Sequence, residues 1–170
     1  VESGSEPFAI IEATESDTAA FARFFLAAWR EAGPKAPGFA GATEEVIAEL
    51  TTVEAVRARV GGPDRRMFLA WHARRVVGFA ATKRICDDSV ELSGIIVLES
   101  QAGLGIGTAL VEAGMAAARQ DGYREMIVKT ETTNARARTF YERTGFHAVG
   151  VESEQVGADL VEVSRLSRLL

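Results

Sequence analysis

The sequence predicts an α+β fold: a mixed, mainly antiparallel central sheet flanked by helices. Two observations carry this. Three strand-like runs, 67–73, 76–84 and 89–98, follow one another with only tight turns between them, which makes an antiparallel meander. The apolar run Ile96, Val97, Leu98 then passes through Gly103, Gly105 and Gly107 into a helical pattern that returns to a strand at 125–130. A strand–helix–strand crossover makes its two strands parallel, so one parallel pair must sit inside the otherwise antiparallel sheet.

The elements follow in order. Residues 8–13 read as a first strand. Thr14 or Ser16 caps the next helix, whose Phe21, Phe24, Phe25, Ala28 and Trp29 recur at helical spacing until Gly33-Pro34 stops it. Residues 34–41 form a proline- and glycine-rich connection. A second helical region opens at Thr43-Glu44-Glu45-Val46 and runs, with a break near Thr51-Thr52, to Val60 before the Gly61-Gly62-Pro63-Asp64 turn. The meander turns tightly at Arg74-Arg75 and again at Cys86-Asp87-Asp88. Strand alternation sets Glu91, Ser93, Ile95 and Val97 on one face. The crossover helix buries Leu110, Val111, Ala113, Met115, Ala117 and Ala118 and ends at Asp121-Gly122, with glycine available for a left-handed cap. A helix over 134–144 closes on Gly145, and strands 146–151 and 160–166 flank a polar turn over 152–159.

With 170 residues, 47% of them apolar, residues 8–170 fit one domain able to bury its own core. The first seven residues are small and polar and read as a frayed end or an expression remnant. No apolar run approaches the roughly 20 residues of a membrane span, and residues 1–7 lack a secretory pattern, so a soluble, cytoplasmic protein without a membrane partner is expected. A net charge of −5 disfavours a broad nucleic-acid surface and tilts toward a cationic acceptor. The single cysteine, Cys86, and the two histidines, His72 and His147, lie too far apart in sequence for a metal cluster, so no metal is expected. Cys86 beside Asp87 and Asp88 reads as a bland loop thiol with a raised pKa.

Gly103 to Thr108 is an anion-binding turn in outline. Glycine lets the backbone turn tightly, and the unpaired N–H groups and dipole of the following helix favour a phosphate. The dinucleotide fingerprint fails at Thr108, and the P-loop lacks its Gly-Lys-Ser/Thr ending. The loop resembles instead the pyrophosphate loop of the GCN5-related N-acetyltransferases, Gln/Arg-x-x-Gly-x-Gly/Ala, with its glycines on Gly105 and Gly107. Ala102 stands where that family has Gln or Arg, and Gln101 falls one place early. The segment from Asn134 to Phe146 resembles the same family's downstream motif, Asn-x-x-Ala-x-x-Phe/Leu-Tyr-Glu-x-x-Gly-Phe, at every position. As a pattern of elements the resemblance runs from Phe8 to the C-terminus, and it is sharp from Glu91 to Phe146.

The resemblance implies that the two parallel strands splay and admit the pantetheine arm of acetyl-CoA. The arm would pair with the backbone of Ile95, Ile96 and Val97. Ala102, Gly103, Leu104, Gly105, Ile106, Gly107 and Thr108 would line the pyrophosphate, and Asn134, which also suits a helix N-cap, would reach the pantetheine. Arg136, Arg138 and Arg143 either face the 3′-phosphate or are ordinary solvated charges. Tyr141 is the candidate for the leaving thiolate, since a phenol near the sulfur can protonate it; otherwise it is a half-buried tyrosine. Glu91 matches the acidic position that many relatives use as general base, with Ser93 as a substitute water relay. Together these imply an acetyl-CoA-dependent N-acetyltransferase acting on a small-molecule or peptide amine by direct attack. The rivals are a non-catalytic acyl-CoA-binding module on the same fold and a small nucleotide-binding protein. Dimerisation through the sheet edge or the C-terminal strands is left open.

Overall fold

The computed structural model describes residues 7–33, 42–156 and 158–170. Its centre is a seven-stranded sheet in the order β1-β2-β3-β4-β5-β7-β6. The strands are β1 (Ala9–Glu12), β2 (Arg65–His72), β3 (Arg75–Arg84), β4 (Ser89–Val97), β5 (Glu125–Glu131), β6 (His147–Val156) and β7 (Asp159–Leu169). Every neighbouring pair is antiparallel except β4 and β5. The helices are α1 (Thr18–Ala32), α2 (Glu44–Leu50), α3 (Val53–Arg57), α4 (Ile106–Gln120) and α5 (Ala135–Arg143). The mixed α+β sheet expected from the crossover is therefore present.

Two cores cover the sheet. The aromatic stripe of α1 buries Phe21, Phe24 and Phe25, whose ring centroids lie 5.2, 6.0 and 5.7 Å from that of Phe79 in β3. Tilted and edge-on rings at this spacing add to the stabilisation from burial alone. Ile47 of α2 and Val56 of α3 join the same cluster. On the opposite face Ile106, Leu110, Val111 and Met115 of α4 pack on Val90, Leu92 and Met126, with Tyr141 and Phe146 completing the layer.

Local signals account for most of the element ends. Thr43 Oγ1 and Thr52 Oγ1 accept from Val46 N–H (3.4 Å) and Ala55 N–H (3.2 Å), so the threonine pair at 51–52 splits the second helical region in two. That region ends with α3 at Arg57, short of Val60, as glycines 61 and 62 approach. The β2–β3 turn is made by Ala73 and Arg74, both at positive φ (47° and 62°), one place earlier than expected, because His72 pairs directly with Arg75. Residues 34–41, read as a connection, lie outside the described residues.

The expected polar turn over 152–159 is mostly strand. Glu152 to Val156 continue the β6 ladder against Val163 to Asp159 of β7. Their polarity reflects ion pairing rather than a turn: the Lys129 ammonium binds the carboxylates of both Glu152 and Glu154 from β5.

The β4 strand departs from simple alternation. Ala81 pairs with Gly94 and Thr82 with Leu92, leaving Ser93 as the extra residue of a β-bulge. Val90 and Leu92 face α4, and Ile95 and Val97 pack against the same core, while Ile96 packs against the α1 side. The expected common face of Glu91, Ser93, Ile95 and Val97 is therefore broken. Glu91 faces away from α4, and the extra residue at Ser93 carries Ile95 and Val97 to the α4 side.

Candidate active site

The parallel pairing of β4 and β5 is short. Only Ser89, Val90 and Glu91 pair, with Glu125, Met126 and Ile127, and beyond Glu91 the two strands have no mutual register. On its β5 side, the backbone of β4 from Leu92 to Val97 is thus free of a strand partner. Ile95, Ile96 and Val97 lie on this open edge, each partly exposed. Unpaired N–H and C=O groups in a row can bind another extended chain. Glu91 and Ile127 form the last paired step, so Glu91 stands where the opening begins.

The open edge of β4 leads directly into the glycine turn. Glu99–Gln101 form one turn of 3₁₀ helix. It is anchored by Glu31 of α1, whose carboxylate accepts from Glu99 N–H at 2.8 Å and from Ser100 Oγ at 3.0 Å. Gly103 and Gly105 follow at φ 81° and 79°, a region that disfavours residues with a side chain. Gly105 is the N-cap of α4 and supplies no side-chain cap, and the helical bonding starts with Ala109 N–H to Gly105 O at 3.0 Å. The N–H groups of Ile106, Gly107 and Thr108 occupy the first turn, where a helix lacks internal acceptors. Residues 102–105 and Thr108 are exposed, so the positive end of the α4 dipole opens to solvent.

Ala102 contributes differently from the glycines: its N–H donates to Glu99 O at 3.0 Å and is used up within the turn. The Gln101 side chain turns toward β2, where its Oε1 lies 3.0 Å from Nδ1 of His72. Gly107 serves packing. A Cβ on it would lie 3.2 Å from two carbons of the Phe140 ring.

Two contacts bring the second motif to the first. One is the close approach of Gly107 and Phe140; the other is Arg136, whose guanidinium meets the Glu99 carboxylate at 3.1 Å. Asn134 caps α5, accepting from Ala137 N–H at 3.1 Å through its side-chain oxygen. Among the described residues its amide nitrogen has no partner, so it can cap the helix and still donate to a ligand. Arg138 and Tyr141 follow Asn134 on the same helical face, at four and seven residues. Arg143 is a solvated charge.

Tyr141 is 7% exposed, its ring edge-on to Phe140 and Phe146 at 5.3 and 5.8 Å. Burial pushes its phenol up to about 12. Among the described residues the hydroxyl has no hydrogen-bond partner, and it is not sealed from solvent. A phenol in this state stays protonated at neutral pH and can only donate to a developing anion.

Glu91 lies on the other sheet face, in an open groove of about 430 Å³ lined by Lys83, Ile127, Lys129, Glu152 and Arg165 among others. Sequence reasoning missed this groove, because its residues come from five strands spread along the chain. The Ser93 hydroxyl donates back to Ala81 O at 3.3 Å. Cys86 is exposed on the β3–β4 turn. Its thiol is held below the usual range, by the Asp88 backbone N–H first and by Ser89 next, against the expected rise. Both donors favour a thiolate more than the neighbouring carboxylates oppose it. Among the described residues no cluster of three potential metal ligands occurs.

The comparisons with known proteins agree with this geometry. Residues 21–146 match the model of the acetyltransferase (GNAT) family. An uncharacterized N-acetyltransferase of Mycobacterium bovis is 34% identical over 96 residues, which cover 56% of this chain and 62% of the relative. A mycothiol acetyltransferase of Geodermatophilus obscurus is 37% identical over 111 residues, covering 59% of this chain and 36% of that one. The chain thus matches about three-fifths or less of the length of these relatives. Among solved structures, the PaiA N-acetyltransferase of Thermoplasma acidophilum, in complex with coenzyme A, superposes with a TM-score of 0.66. That match is 17% identical and covers 92% of this chain and 98% of that one, which establishes a shared fold. With a family match over most of its length and the family's two motifs joined at one opening, the chain belongs to the acetyltransferase (GNAT) family.

Proposed function

We propose that this chain transfers the acetyl group of acetyl-CoA to a primary amine by direct attack, with no acyl-enzyme. The observation that carries the reading is the opening of β4 and β5 beyond Glu91, which runs straight into the exposed start of α4. The residues present fit coenzyme A. Peptide-like amides of a pantetheine arm find the unpaired backbone of Ile95 to Val97. A pyrophosphate finds the glycine turn and the first N–H groups of α4, and Asn134 can donate from the start of α5. Bound there, acetyl-CoA supplies an activated acyl group on a thioester.

The chain supplies proton management on the two sheet faces. Glu91, in the groove, takes the proton that the attacking amine must lose. Tyr141, on the α4 side, donates its phenolic proton, or a hydrogen bond, to the sulfur as the carbon–sulfur bond breaks. Its raised pKa keeps that proton in place until the thiolate forms. The amine thus reaches the acyl carbon from the groove side, and the sulfur leaves on the side of Tyr141.

The test is release of coenzyme A thiol from acetyl-CoA in the presence of a panel of amines, with formation of acetylated products followed by mass spectrometry. Amine-dependent thiol release is expected. Tight binding of acetyl-CoA by calorimetry without release for any amine would favour the non-catalytic acyl-CoA-binding module.

A further inference from the structure

We propose that the acceptor is an amine that also carries an anionic group, of the amino-acid class, with its carboxylate held by Lys83 and Arg165 while its nitrogen lies at Glu91. This rests on the reading of Glu91 as the base and names the substrate class of the same groove.

The groove carries four cations, and two of them are already satisfied. Arg84 is bound by Asp64 at 3.3 Å and by Asp87. Lys129 is held between Glu152 and Glu154. Lys83 and Arg165 have no ion pair or side-chain hydrogen bond among the described residues. Glu91 likewise has none. The lining therefore presents two uncompensated cations and one uncompensated carboxylate.

Their placement is set by the ladders. Lys83 stands directly opposite Glu91 across β3 and β4. Arg165 stands directly opposite Lys129 across β5 and β7, a like-charge pairing that is unfavourable without an anion beside it. Lys129 has its two acids; Arg165 reaches Glu152 only through space, as one of the charges lowering that carboxyl's pKa. Three strand spacings separate Arg165 on β7 from Lys83 on β3, at least about 14 Å between backbones at roughly 4.8 Å per pairing and more where β4 and β5 part, a gap that the lysine and arginine side chains close from either side onto a small ligand. A plain di- or polyamine would place its second ammonium against Lys83 or Arg165. A carboxylate at that position neutralises them instead and leaves the nitrogen to Glu91. The chain's net charge of −5 says little here, because the acids that hold Arg84 and Lys129 are already paired and leave Lys83 and Arg165 facing Glu91.

The experiment compares two equimolar pools, proteinogenic amino acids and the corresponding decarboxylated amines, each with acetyl-CoA, reading N-acetyl products by mass spectrometry. The expected result is transfer to the amino-acid pool at least roughly 10-fold faster, the scale of a charge-assisted contact at a partly exposed site. Lys83→Gln and Arg165→Gln should each reduce that preference by slowing the amino-acid pool more than the amine pool, with the KM for acetyl-CoA not raised. Equal or faster transfer to the amine pool, an equal loss with both pools in the variants, or products from neither pool would overturn the proposal. The base assignment fails separately. If Glu91→Gln transfers at the parental rate while the carboxylate preference persists, the acceptor class stands and Glu91 loses its role.

Discussion

Gly107, in the first turn of α4, and Phe140, in α5, meet so closely that a methyl group on the glycine would sit 3.2 Å from two carbons of the ring. This contact joins the glycine turn to the helix that carries Asn134 and Tyr141. Gly107→Ala must push the ring aside, and overpacking of this kind costs about 1–3 kcal/mol, offset in part by the better helix propensity of alanine. Urea denaturation should show a net loss of stability. Adding Phe140→Leu should recover part of it, because the smaller side chain vacates the contact, and a strictly additive double mutant would show that the two residues do not press on each other.

Tyr141→Phe keeps the ring between Phe140 and Phe146 and removes only the hydroxyl. The expectation is a fall in kcat of roughly 100-fold or more, with acetyl-CoA affinity little changed. Steady-state kinetics with a reactive amine, alongside calorimetric titration of acetyl-CoA, measures both; a parental kcat in the Phe enzyme would remove Tyr141 from the chemistry.

The same substitution tests the burial of the phenol. Its pKa is raised from 10 to about 12 on folding, so the unfolded chain releases this proton first as the pH climbs. The stability that comes with the neutral phenol is whole below pH 10 and is lost as the pH rises toward 12. Relative to Tyr141→Phe, the parent should lose about 1 kcal/mol by pH 11. Parallel urea titrations at pH 8 and pH 11 check this, and an unchanged difference between the two proteins would mean that the hydroxyl is well solvated.

Glu91→Gln preserves the shape of the residue at the mouth of the opening and abolishes its basicity. Transfer to a protonated amine should slow and the acidic limb of the pH–rate profile should disappear, while cofactor affinity survives. A profile identical to the parent's would assign deprotonation to water or to the acceptor's own ionisation.

Ala102→Arg tests where the pyrophosphate lies. The backbone N–H of residue 102 is spent on Glu99 and the side chain is exposed, so only a new side-chain donor can add a contact there. Acetyl-CoA should bind more tightly, by up to about 1.5–3 kcal/mol before entropy costs, with kcat unchanged, since a contact made equally in ground and transition states alters binding alone. The gain should shrink with salt. Calorimetry at two ionic strengths decides it: equal or weaker binding would move the pyrophosphate away from this turn.

Much of this was readable from local signals. The glycine turn, the crossover and the aromatic stripe of α1 are written in patterns of a few residues, and both family motifs lie in continuous stretches. What could not be read locally is of two kinds. The bulge at Ser93 inverts the alternation of β4, and its one trace in the sequence is the Ser93-Gly94 pair interrupting an apolar strand. The strand from Glu152 to Val156 looks like a turn because its stabilising partner, Lys129, comes from β5. The groove shared by Lys83, Glu91 and Arg165 exists only once β3, β4 and β7 stand near one another, and no periodicity announces it.

The gap between β4 and β5 also bears on how the protein should be handled. Most sheets hide their unpaired edges at the periphery or cover them; this one has two in its middle, and a foreign strand can add to such an edge as readily as a substrate can. A tight ligand that fills the gap removes that opportunity and, by binding the folded state alone, raises the melting temperature in proportion to the logarithm of its concentration. Purification and storage with coenzyme A present should therefore suppress self-association, most of all in dilute salt and at high protein concentration.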